Sequence, residues 1–266
     1  MSSRLRRMAD YFWLSLACLF AFFPVLFMLV TSFKTRAMLY EPTHLLFEPV
    51  LSNYRTALMQ YGLGNYLRDS LIVCIVNVLI CIVLGTISGY ALNRFAFRHR
   101  NLIAISILSS RIFPSIALVI PFYLIGVFVR MLDTYTIVIV VFLTFNLPFA
   151  VVMMRSFFAG ISTETEEAAM MDGCGRLGAL LHVVLPQVKS GLFATAIMCF
   201  LTAWNEFTYV LFLTSSKVHM ISTAVVFFKT EQGILWGEVS ALGIVAVLPV
   251  ILLCFLTQRY LVRGMV

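Results

Sequence analysis

The stretch "SLIVCIVNVLICIVLGTISGYALN", residues 70–93, contains no charged side chain. A helix needs about 20 apolar residues to cross the roughly 30 Å of hydrocarbon in a bilayer. A closed β-barrel would instead show short segments of alternating polarity. The stretch therefore predicts a membrane-spanning helix.

Apolar windows of similar length recur on both sides of this stretch. They cover residues 11–33, 101–129, 134–154, 190–213 and 239–258. Only two of these windows contain a charge, which is Arg111 in one and Glu206 in the other. With 61% hydrophobic and 12% charged residues, the chain has more apolar surface than a soluble core needs. The sequence predicts an all-α polytopic membrane protein with six transmembrane helices in a single domain, residues 1–266.

Basic residues at the start of the chain raise an alternative for the first window. Arg4, Arg6 and Arg7 precede it, as they would in a secretory signal peptide. The apolar run is longer than the core of a signal peptide and no small-residue cleavage pattern follows it, so we expect a retained span. With the N-terminus inside, more lysines and arginines fall in the inner loops. This bias predicts that both termini are cytoplasmic.

Residue types that catalyse reactions or bind metals are scattered. The six cysteines lack CxxC spacing and mostly lie in the apolar windows, so we interpret them as small apolar side chains. We find no nucleophile–base set and no metal-ligand spacing, which argues against an enzyme and against a metal site. The basic residues are not gathered beside stacking aromatics, so we expect no nucleic-acid partner. The sequence also lacks G-x-x-x-x-G-K-[ST], the phosphate-binding loop of many ATPases.

One polar segment, residues 160–187, separates the fourth and fifth windows and includes "TETEEAAMMDGCGRLGALLHVVLPQ". Thr163 and Glu166 have the spacing of a capping box, which predicts the start of a helix. Gly173 and Gly175 predict its end, because glycine takes the positive φ that a sharp reversal needs. The segment therefore begins with a helix and a tight turn.

A second apolar helix is predicted to follow the turn, over Leu177–Leu185. Pro186 should end it, because proline lacks the N–H that the helix ladder requires. Small side chains at Ala168 and Ala169 suit close contact with another surface. We interpret residues 160–187 as a docking element that projects from the cytoplasmic side of the membrane.

The same segment resembles the signature loop E-A-A-x3-G-x9-I-x-L-P of ABC-importer membrane subunits. The positions that correspond to the motif are Glu167, Ala168, Ala169, Gly173, Val183, Leu185 and Pro186. Val183 is the one departure, since isoleucine is usual there. Asp172 before the glycine also resembles the sugar-importer version of the motif.

Two further stretches extend the resemblance over the chain. "AWNEFTYVLFLT", residues 203–214, and "QRYLVRGM", residues 258–265, resemble the smaller, six-span membrane subunit of carbohydrate importers of the maltose type. The resemblance implies an ABC-importer permease fold in which residues 160–187 hold a coupling helix seated in a separate ATPase. It also implies four kinds of partner: a second homologous permease subunit, two ATPase subunits that bind ATP and magnesium, a periplasmic or lipid-anchored substrate-binding protein, and the lipid bilayer.

The resemblance assigns roles within the coupling loop. Glu167 is expected to meet a basic group of the ATPase, while Ala168, Ala169 and Gly173 allow close seating. The remaining members of the expected ATPase-coupling set are Glu166, Asp172, Leu185 and Pro186.

Polar and aromatic groups inside the apolar windows are candidates for the substrate pathway. The set is Arg111, Asn146, Trp204, Asn205, Glu206 and Tyr209. A charge at mid-membrane costs at least about 2.5–3.5 kcal/mol, so Arg111 should face protein or water. It either binds a hydroxyl-bearing or anionic ligand or forms a structural ion pair, with Glu206 as the candidate partner. For Glu206 we favour packing or gating, and Trp204 and Tyr209 either stack on a sugar ring or pack.

Three functions remain open from the sequence. The first is the permease subunit of an ABC importer for a sugar or related polyhydroxylated solute, with ATP hydrolysed by a partner. The second is an ABC permease for an anionic polyol derivative, such as a glycerol phosphate or a sulfonated sugar, because of Arg111. The third, a self-contained secondary carrier or channel, leaves the coupling-loop pattern unexplained.

Overall fold

The structure, a computed structural model, describes residues 3–40, 47–230 and 233–263, with side chains described over 7–40, 47–230 and 233–258. The last two residues of the predicted "QRYLVRGM" stretch lie outside this part. The chain divides into two compact units, Met1–Gly64 with Ala224–Pro249 and Asn65–Thr223 with Val250–Val266. Two of the three boundaries fall inside the long helices that contain Gly64 and Pro249, and the single-domain organisation of residues 1–266 stays a prediction.

Helices dominate the described residues. In chain order they are α1 (Ser3–Ser32), α2 (Arg36–Leu39), α3 (Ser52–Met59), α4 (Leu63–Arg94), α5 (Arg100–Ser109), α6 (Ser115–Phe128), α7 (Tyr135–Ala159), α8 (Thr163–Met171), α9 (Arg176–Ala179), α10 (Leu185–Gln187), α11 (Lys189–Trp204), α12 (Thr208–Leu213) and α13 (Trp236–Arg263). Short 3₁₀ turns cover Ser110–Ile112 and Ala224–Phe228, and a π-helical turn covers Leu180–Val184. Strands β1 (Lys229–Thr230) and β2 (Gly233–Ile234) pair antiparallel, with Lys229 opposite Ile234.

Four helices are long and apolar enough to cross a membrane. They are Arg7–Ser32, Leu63–Arg94, Tyr135–Ala159 and Trp236–Gln258. They overlap the four uncharged windows, so helix formation there is confirmed. Two bent helix pairs, Arg100–Ile112 with Ser115–Phe128 and Arg176–Gln187 with Lys189–Trp204, raise the count to as many as six if each pair is one broken span. The six-span topology stays a prediction.

The window over residues 101–129 does not form the one straight helix that its composition suggests. Its two halves are bent by 93° at a break that includes Phe113 and Pro114, both of which have extended backbone angles. Proline cannot donate to a helix ladder, and it also disfavours the helical conformation of the residue before it. The window over 190–213 is interrupted as well, because α11 ends at Trp204 and α12 begins at Thr208.

Glycines allow α4 and α7 to approach closely. A Cβ atom added to Gly85 would lie 2.7 Å from Ala150 Cβ, and one added to Gly89 would lie 2.8 Å from the backbone nitrogen of Arg155. Gly85 and Gly89 are four residues apart and therefore share one helix face. Small residues with this spacing are typical of helix contacts in membranes, where backbones must come close to gain packing energy.

A buried amide network ties α4, α7 and α11 together. Asn146 Nδ2 donates to Asn77 Oδ1 at 2.8 Å and to the carbonyl oxygen of Cys199 at 3.0 Å. Asn77 Nδ2 in turn donates to the carbonyl oxygen of Ile139 at 3.3 Å. Buried polar groups need such partners because lipid offers none. The Asn146 side-chain nitrogen thus links α7 to α4 and α11, while its buried Oδ1 has no hydrogen-bond partner in the described structure.

Asp133 fixes the segment that follows α12. Its carboxylate accepts hydrogen bonds from the backbone N–H groups of four consecutive residues, 215–218, at 2.9–3.2 Å. Burial acts to raise the pKa of Asp133, but these N–H groups stabilise the charged form and hold the pKa below its ordinary value. The segment is thus fastened to the turn between α6 and α7.

In the other unit, Asn53 of α3 caps the end of α1. Its Nδ2 donates to the carbonyl oxygens of Ser32 and Lys34, each at 2.8 Å. The last carbonyls of a helix lack partners within the helix, so this amide satisfies that of Ser32 and also holds the chain just beyond it at Lys34. A Cβ atom on Gly237 would lie 2.7 Å from the Asn53 side chain, so glycine leaves the space that the cap occupies.

Candidate coupling loop and membrane cavity

The N-cap of helix α8 lies one residue before the predicted cap. Ser162 is the N-cap, and its Oγ accepts a hydrogen bond from the Glu164 N–H at 3.2 Å. The prediction of Thr163 as the cap is wrong, because Thr163 is already the first helical residue. Ser162 caps by the same hydroxyl chemistry, and serine is favoured over threonine at this position.

The turn after α8 depends on one of the two predicted glycines. Gly173 has φ +91° and its N–H donates to the Met170 carbonyl oxygen at 3.2 Å, which confirms its role in the reversal. Gly175 has φ −67° and ψ 160°, which is extended backbone that other residues adopt. It is the N-cap of α9, so its assignment to a positive-φ turn is wrong.

Pro186 does not end the second helix where the sequence predicts. Helical structure continues from Arg176 to Gln187, and the chain then bends by 78° before α11. Ahead of Pro186, the helix adopts a π turn in which the Leu185 N–H bonds to the Leu180 carbonyl oxygen, five residues back. Such local changes of register let a helix continue through a residue that cannot donate.

The tip of the coupling loop exposes both charge and apolar surface. Glu167, Ala168, Asp172 and Gly173 are exposed, whereas Ala169 is buried against the chain. Among the apolar side chains nearby, Met171 is 88% exposed. An exposed apolar patch with a charged rim is typical of a protein-binding surface.

Glu166 differs from the other predicted coupling residues. Its side chain is buried, and its Oε2 forms an ion pair with Arg94 Nε at 2.8 Å. The hydroxyl of Tyr90 donates to its Oε1. The Glu166 carboxylate is therefore occupied within the chain and does not face outward beside Glu167. Sequence reasoning missed Tyr90 and Arg94, which carry no local motif.

The base of the loop packs into the bundle. One buried apolar cluster comprises Tyr90, Met154, Phe158, Leu180, Val184 and Val188. Leu185 packs against this cluster, while Pro186 is exposed. Leu185 and Pro186 were both predicted to belong to the coupling surface, but Leu185 packs inward and Pro186 is exposed.

A cavity of about 370 Å³ opens beside the break between α5 and α6. Its lining residues are Ser110, Arg111, Phe113, Ser115, Leu118, Thr144, Phe145, Thr202, Glu206 and Tyr209. Three predicted pathway residues, Arg111, Glu206 and Tyr209, are therefore brought together. The hydroxyl-bearing lining residues were missed, although Pro114 marked the helix break that exposes two of them.

The charges in this cavity do not neutralise each other. Arg111 lies over the ring of Phe149, with 5.0 Å from Cζ to the ring centre, and forms no ion pair within 4.0 Å among the residues described. The ion pair considered for Arg111 and Glu206 is thus not formed in this structure. Glu206 Oε1 instead accepts from the Tyr209 N–H at 3.1 Å, which caps the start of α12.

The other predicted pathway residues lie elsewhere. Trp204 is buried and stacks on Phe200, with ring centres 5.3 Å apart. Asn205 is exposed and its Nδ2 donates to the Leu201 carbonyl oxygen at 2.8 Å. Neither residue lines this cavity, and the assignment of Trp204 and Asn205 to the substrate pathway stays a prediction. No group of three or more His, Cys, Asp or Glu side chains able to hold a metal occurs in the part of the chain that the structure describes.

Long apolar helices, a helical loop with an exposed tip and a polar cavity beside a broken helix define a polytopic membrane permease. Comparison with known sequences agrees. The chain belongs to the family of binding-protein-dependent transport system inner membrane components, whose sequence model matches residues 81–266. This confirms the predicted resemblance to importer permeases and places the protein in the inner membrane.

Three relatives illustrate the similarity. The probable ABC transporter permease protein y4oR of Sinorhizobium fredii is 35% identical over 255 residues, which cover 96% of this chain and 91% of that protein. The sulfoquinovosyl glycerol transport system permease protein SmoH of Agrobacterium fabrum is 32% identical and covers 91% of this chain and 86% of that one. The trehalose/maltose transport system permease protein MalG of Thermococcus litoralis is 28% identical, with 94% and 91% covered.

A solved structure shares the fold. A chain of a bacterial ABC transporter involved in the import of the acidic polysaccharide alginate superposes with a TM-score of 0.81. The match covers 98% of this chain and 99% of that one at 22% identity. The predicted ABC-importer permease fold is confirmed.

Proposed function

We propose that this chain is the permease subunit of an ATP-driven importer for a sugar or a related polyhydroxylated solute. It moves the solute by alternating access, with force delivered through the loop Glu167–Pro186. The observation that supports the proposal most directly is the exposed Glu167–Gly173 tip, which combines the family signature with the geometry of a docking surface. Relatives named for the transport of trehalose, maltose and diacetylchitobiose support a carbohydrate solute.

The proposed assembly contains a second homologous permease subunit, two ATPase subunits and an external substrate-binding protein. ATP and magnesium bind to the ATPase subunits. A solved alginate transporter in complex with a pentasaccharide-bound periplasmic protein offers a precedent for the external partner. In this arrangement the chain is a transport subunit, and hydrolysis is carried out by its partner.

The test of the proposal is a charge reversal at the exposed tip. We expect Glu167→Lys to abolish co-purification of the ATPase and to lower ATP-dependent uptake at least about tenfold, because a repelled charge at an interface costs several kcal/mol. Uptake by the unmodified complex should persist when ionophores collapse ion gradients. Pull-down from membranes and uptake by proteoliposomes measure both.

The matched control for this reversal is Glu164→Lys, on an exposed side chain in the first turn of the same helix. It should retain the ATPase and most of the uptake. Normal assembly and normal uptake by Glu167→Lys would refute the docking assignment. Uptake without ATP, driven by an ion gradient, would instead favour a secondary carrier.

A second candidate function is supported by Arg111. The guanidinium lines the cavity without a carboxylate partner among the described residues, so it is available to an anionic solute. Compared proteins named for sulfoquinovosyl glycerol and for the acidic polysaccharide alginate agree with this direction. The candidate is an ABC permease for an anionic polyol derivative, such as a glycerol phosphate or a sulfonated sugar.

The effect of Arg111→Ala on uptake distinguishes an importer for anionic solutes from an importer for neutral sugars. A hydrogen bond to a charged group contributes about 1.5–3 kcal/mol, so uptake of an anionic solute should fall roughly tenfold to a hundredfold. Uptake of a neutral sugar should change much less, and Arg111→Lys should recover part of the anion uptake because it keeps the charge. Reconstituted complexes given each solute provide the measurement. Equal losses for both solutes would assign Arg111 a structural role.

A further inference from the structure

We propose that Glu166 and Arg94 are positioning residues that join the coupling helix α8 to the inner end of α4. Together with Tyr90 they form what we call the Glu166 latch. The proposal rests on the function proposed above, because it concerns how force entering the loop reaches the membrane helices. Its consequence is that α8 and α4 move as one body.

The charged groups of the latch are buried and hydrogen-bonded within the chain. The side chains of Arg94 and Glu166 are 9% and 5% exposed, and both carboxylate oxygens of Glu166 are used, one by Arg94 Nε and one by the Tyr90 hydroxyl. Arg94 Nη2 also donates to the carbonyl oxygen of Ile161, just before α8, at 3.0 Å. One guanidinium therefore holds both the helix and the chain that leads into it.

Glu166 is also the buried polar attachment of α8. Only Glu166 and Ala169 of this nine-residue helix are buried, while the neighbouring Glu167 and Ala168 face outward. Adjacent residues on a helix point about 100° apart, so one residue can hold the chain while the next meets a partner. Glu166 is the one buried polar side chain on α8 in the described structure, so it gives a displacement of the exposed face a direct route to Arg94.

From the latch, α4 carries the displacement across the membrane. It is a continuous helix of 32 residues, and Gly85 and Gly89 hold it against α7 near the latch. Near its opposite end, Asp69 is buried and its Oδ2 accepts from the His219 N–H at 3.1 Å. The structure thus connects the coupling helix at one end of α4 to the segment that follows α12 at the other.

Ion-pair energetics favour a positioning role over simple stabilisation. A buried ion pair gains little net stability over well-packed apolar residues, because both charges lose water. What it provides is a directional joint, since the carboxylate and guanidinium hold each other only in a narrow geometry. A joint of this kind adds a polar constraint on sliding between α8 and α4 to the steric resistance of the apolar packing around it.

The decisive measurement is the number of solute molecules imported per ATP hydrolysed by the complete reconstituted complex. Glu166→Gln and Arg94→Gln are expected to keep the ATPase bound and hydrolysing within about twofold of normal, while the import ratio falls at least about tenfold. The double variant Glu166→Arg with Arg94→Glu restores the opposite charges and should recover a substantial part of the ratio. Glu164→Gln, an exposed acid on the same helix, is the control and should match the unmodified complex.

Two outcomes would overturn the latch. The first is an unchanged import ratio in assembled single variants, and the second is a parallel loss of hydrolysis and uptake that the charge-swapped pair does not rescue. If the single variants fail to assemble, the import ratio of Tyr90→Phe tests the proposal instead. This variant keeps the ring in the apolar cluster and removes only one hydrogen-bond donor to Glu166. It should lower the ratio about threefold, and a normal ratio would refute the proposal. Failure of the unmodified chain to bind any ATPase would instead refute the proposed function.

Discussion

Replacing Gly173 by proline is expected to reduce ATP-driven uptake at least about a hundredfold. Gly173 has φ +91°, whereas proline is restricted to φ near −65°. Proline would also remove the N–H that bonds to the Met170 carbonyl oxygen. A misfit of this kind costs about 3 kcal/mol or more, and tenfold corresponds to about 1.4 kcal/mol. The turn must open, which turns the exposed face of α8 away from any ATPase.

The control for this variant lies two residues away. Gly175 has φ −67°, its N–H makes no backbone hydrogen bond in the described structure, and an added Cβ meets nothing within 4 Å. Gly175→Pro should therefore keep at least about half of the uptake, because its backbone already has the geometry of proline. Binding of the ATPase to a tagged chain and uptake by proteoliposomes measure both variants. If Gly173→Pro kept as much uptake as an active Gly175→Pro variant, the turn at Gly173 would play no part in coupling.

The comparison of these two glycines shows what sequence can predict about the loop. The glycines and Pro186 in the sequence located the turn after α8 and the end of the helix before α11 to within a few residues. They could do so because glycine and proline act on the backbone close to their own positions. It could not distinguish a glycine that needs positive φ from one that does not. That distinction depends on the path of the chain into α9, which tertiary packing decides.

The same limit explains Glu166. On a helical pattern, Glu166 and Glu167 are adjacent acids with similar propensities, and both were assigned to the coupling surface. The structure turns one inward because Arg94, 72 residues earlier in the sequence, ends α4 beneath it. A pairing over that separation has no local signal. The long apolar helices, by contrast, followed from composition alone, because hydrocarbon thickness fixes their length.

The break between α5 and α6 could be predicted only in part from the sequence. Pro114 was visible in the sequence, and proline near the middle of a membrane helix is often tolerated as a kink. The 93° bend is larger than a kink, and it places Ser110 and Ser115 on the wall of one cavity. Composition predicted an apolar window, but the direction of the chain within it depends on the backbone at Phe113 and Pro114.

Replacing Gly89 by leucine is expected to destabilise the packing of α4 against α7 strongly. Even a Cβ atom there would lie 2.8 Å from the Arg155 backbone nitrogen and 3.0 Å from the Val151 carbonyl oxygen. These contacts are backbone atoms of α7, which cannot rotate away as a side chain can. Overpacking costs about 1–3 kcal/mol and sometimes more, so Gly89→Leu should lower the melting temperature in detergent by several degrees and reduce the yield of monodisperse protein.

A matched variant on the same helix isolates the cause. Gly64 lies in the first turn of α4, is exposed, and has no atom within 4 Å of an added Cβ. Gly64→Leu adds the same apolar side chain to α4 and should leave the melting temperature nearly unchanged. Helix propensity favours leucine over glycine at both positions, so it cannot account for a loss at Gly89 alone. If the two variants have the same melting temperature, the close approach of α4 to α7 does not limit stability. A lower melting temperature for Gly89→Leu alone would mean that the added side chain separates the two helices. The separated helices gain nothing from a hydrophobic driving force, because membrane helices associate by packing and hydrogen bonding instead.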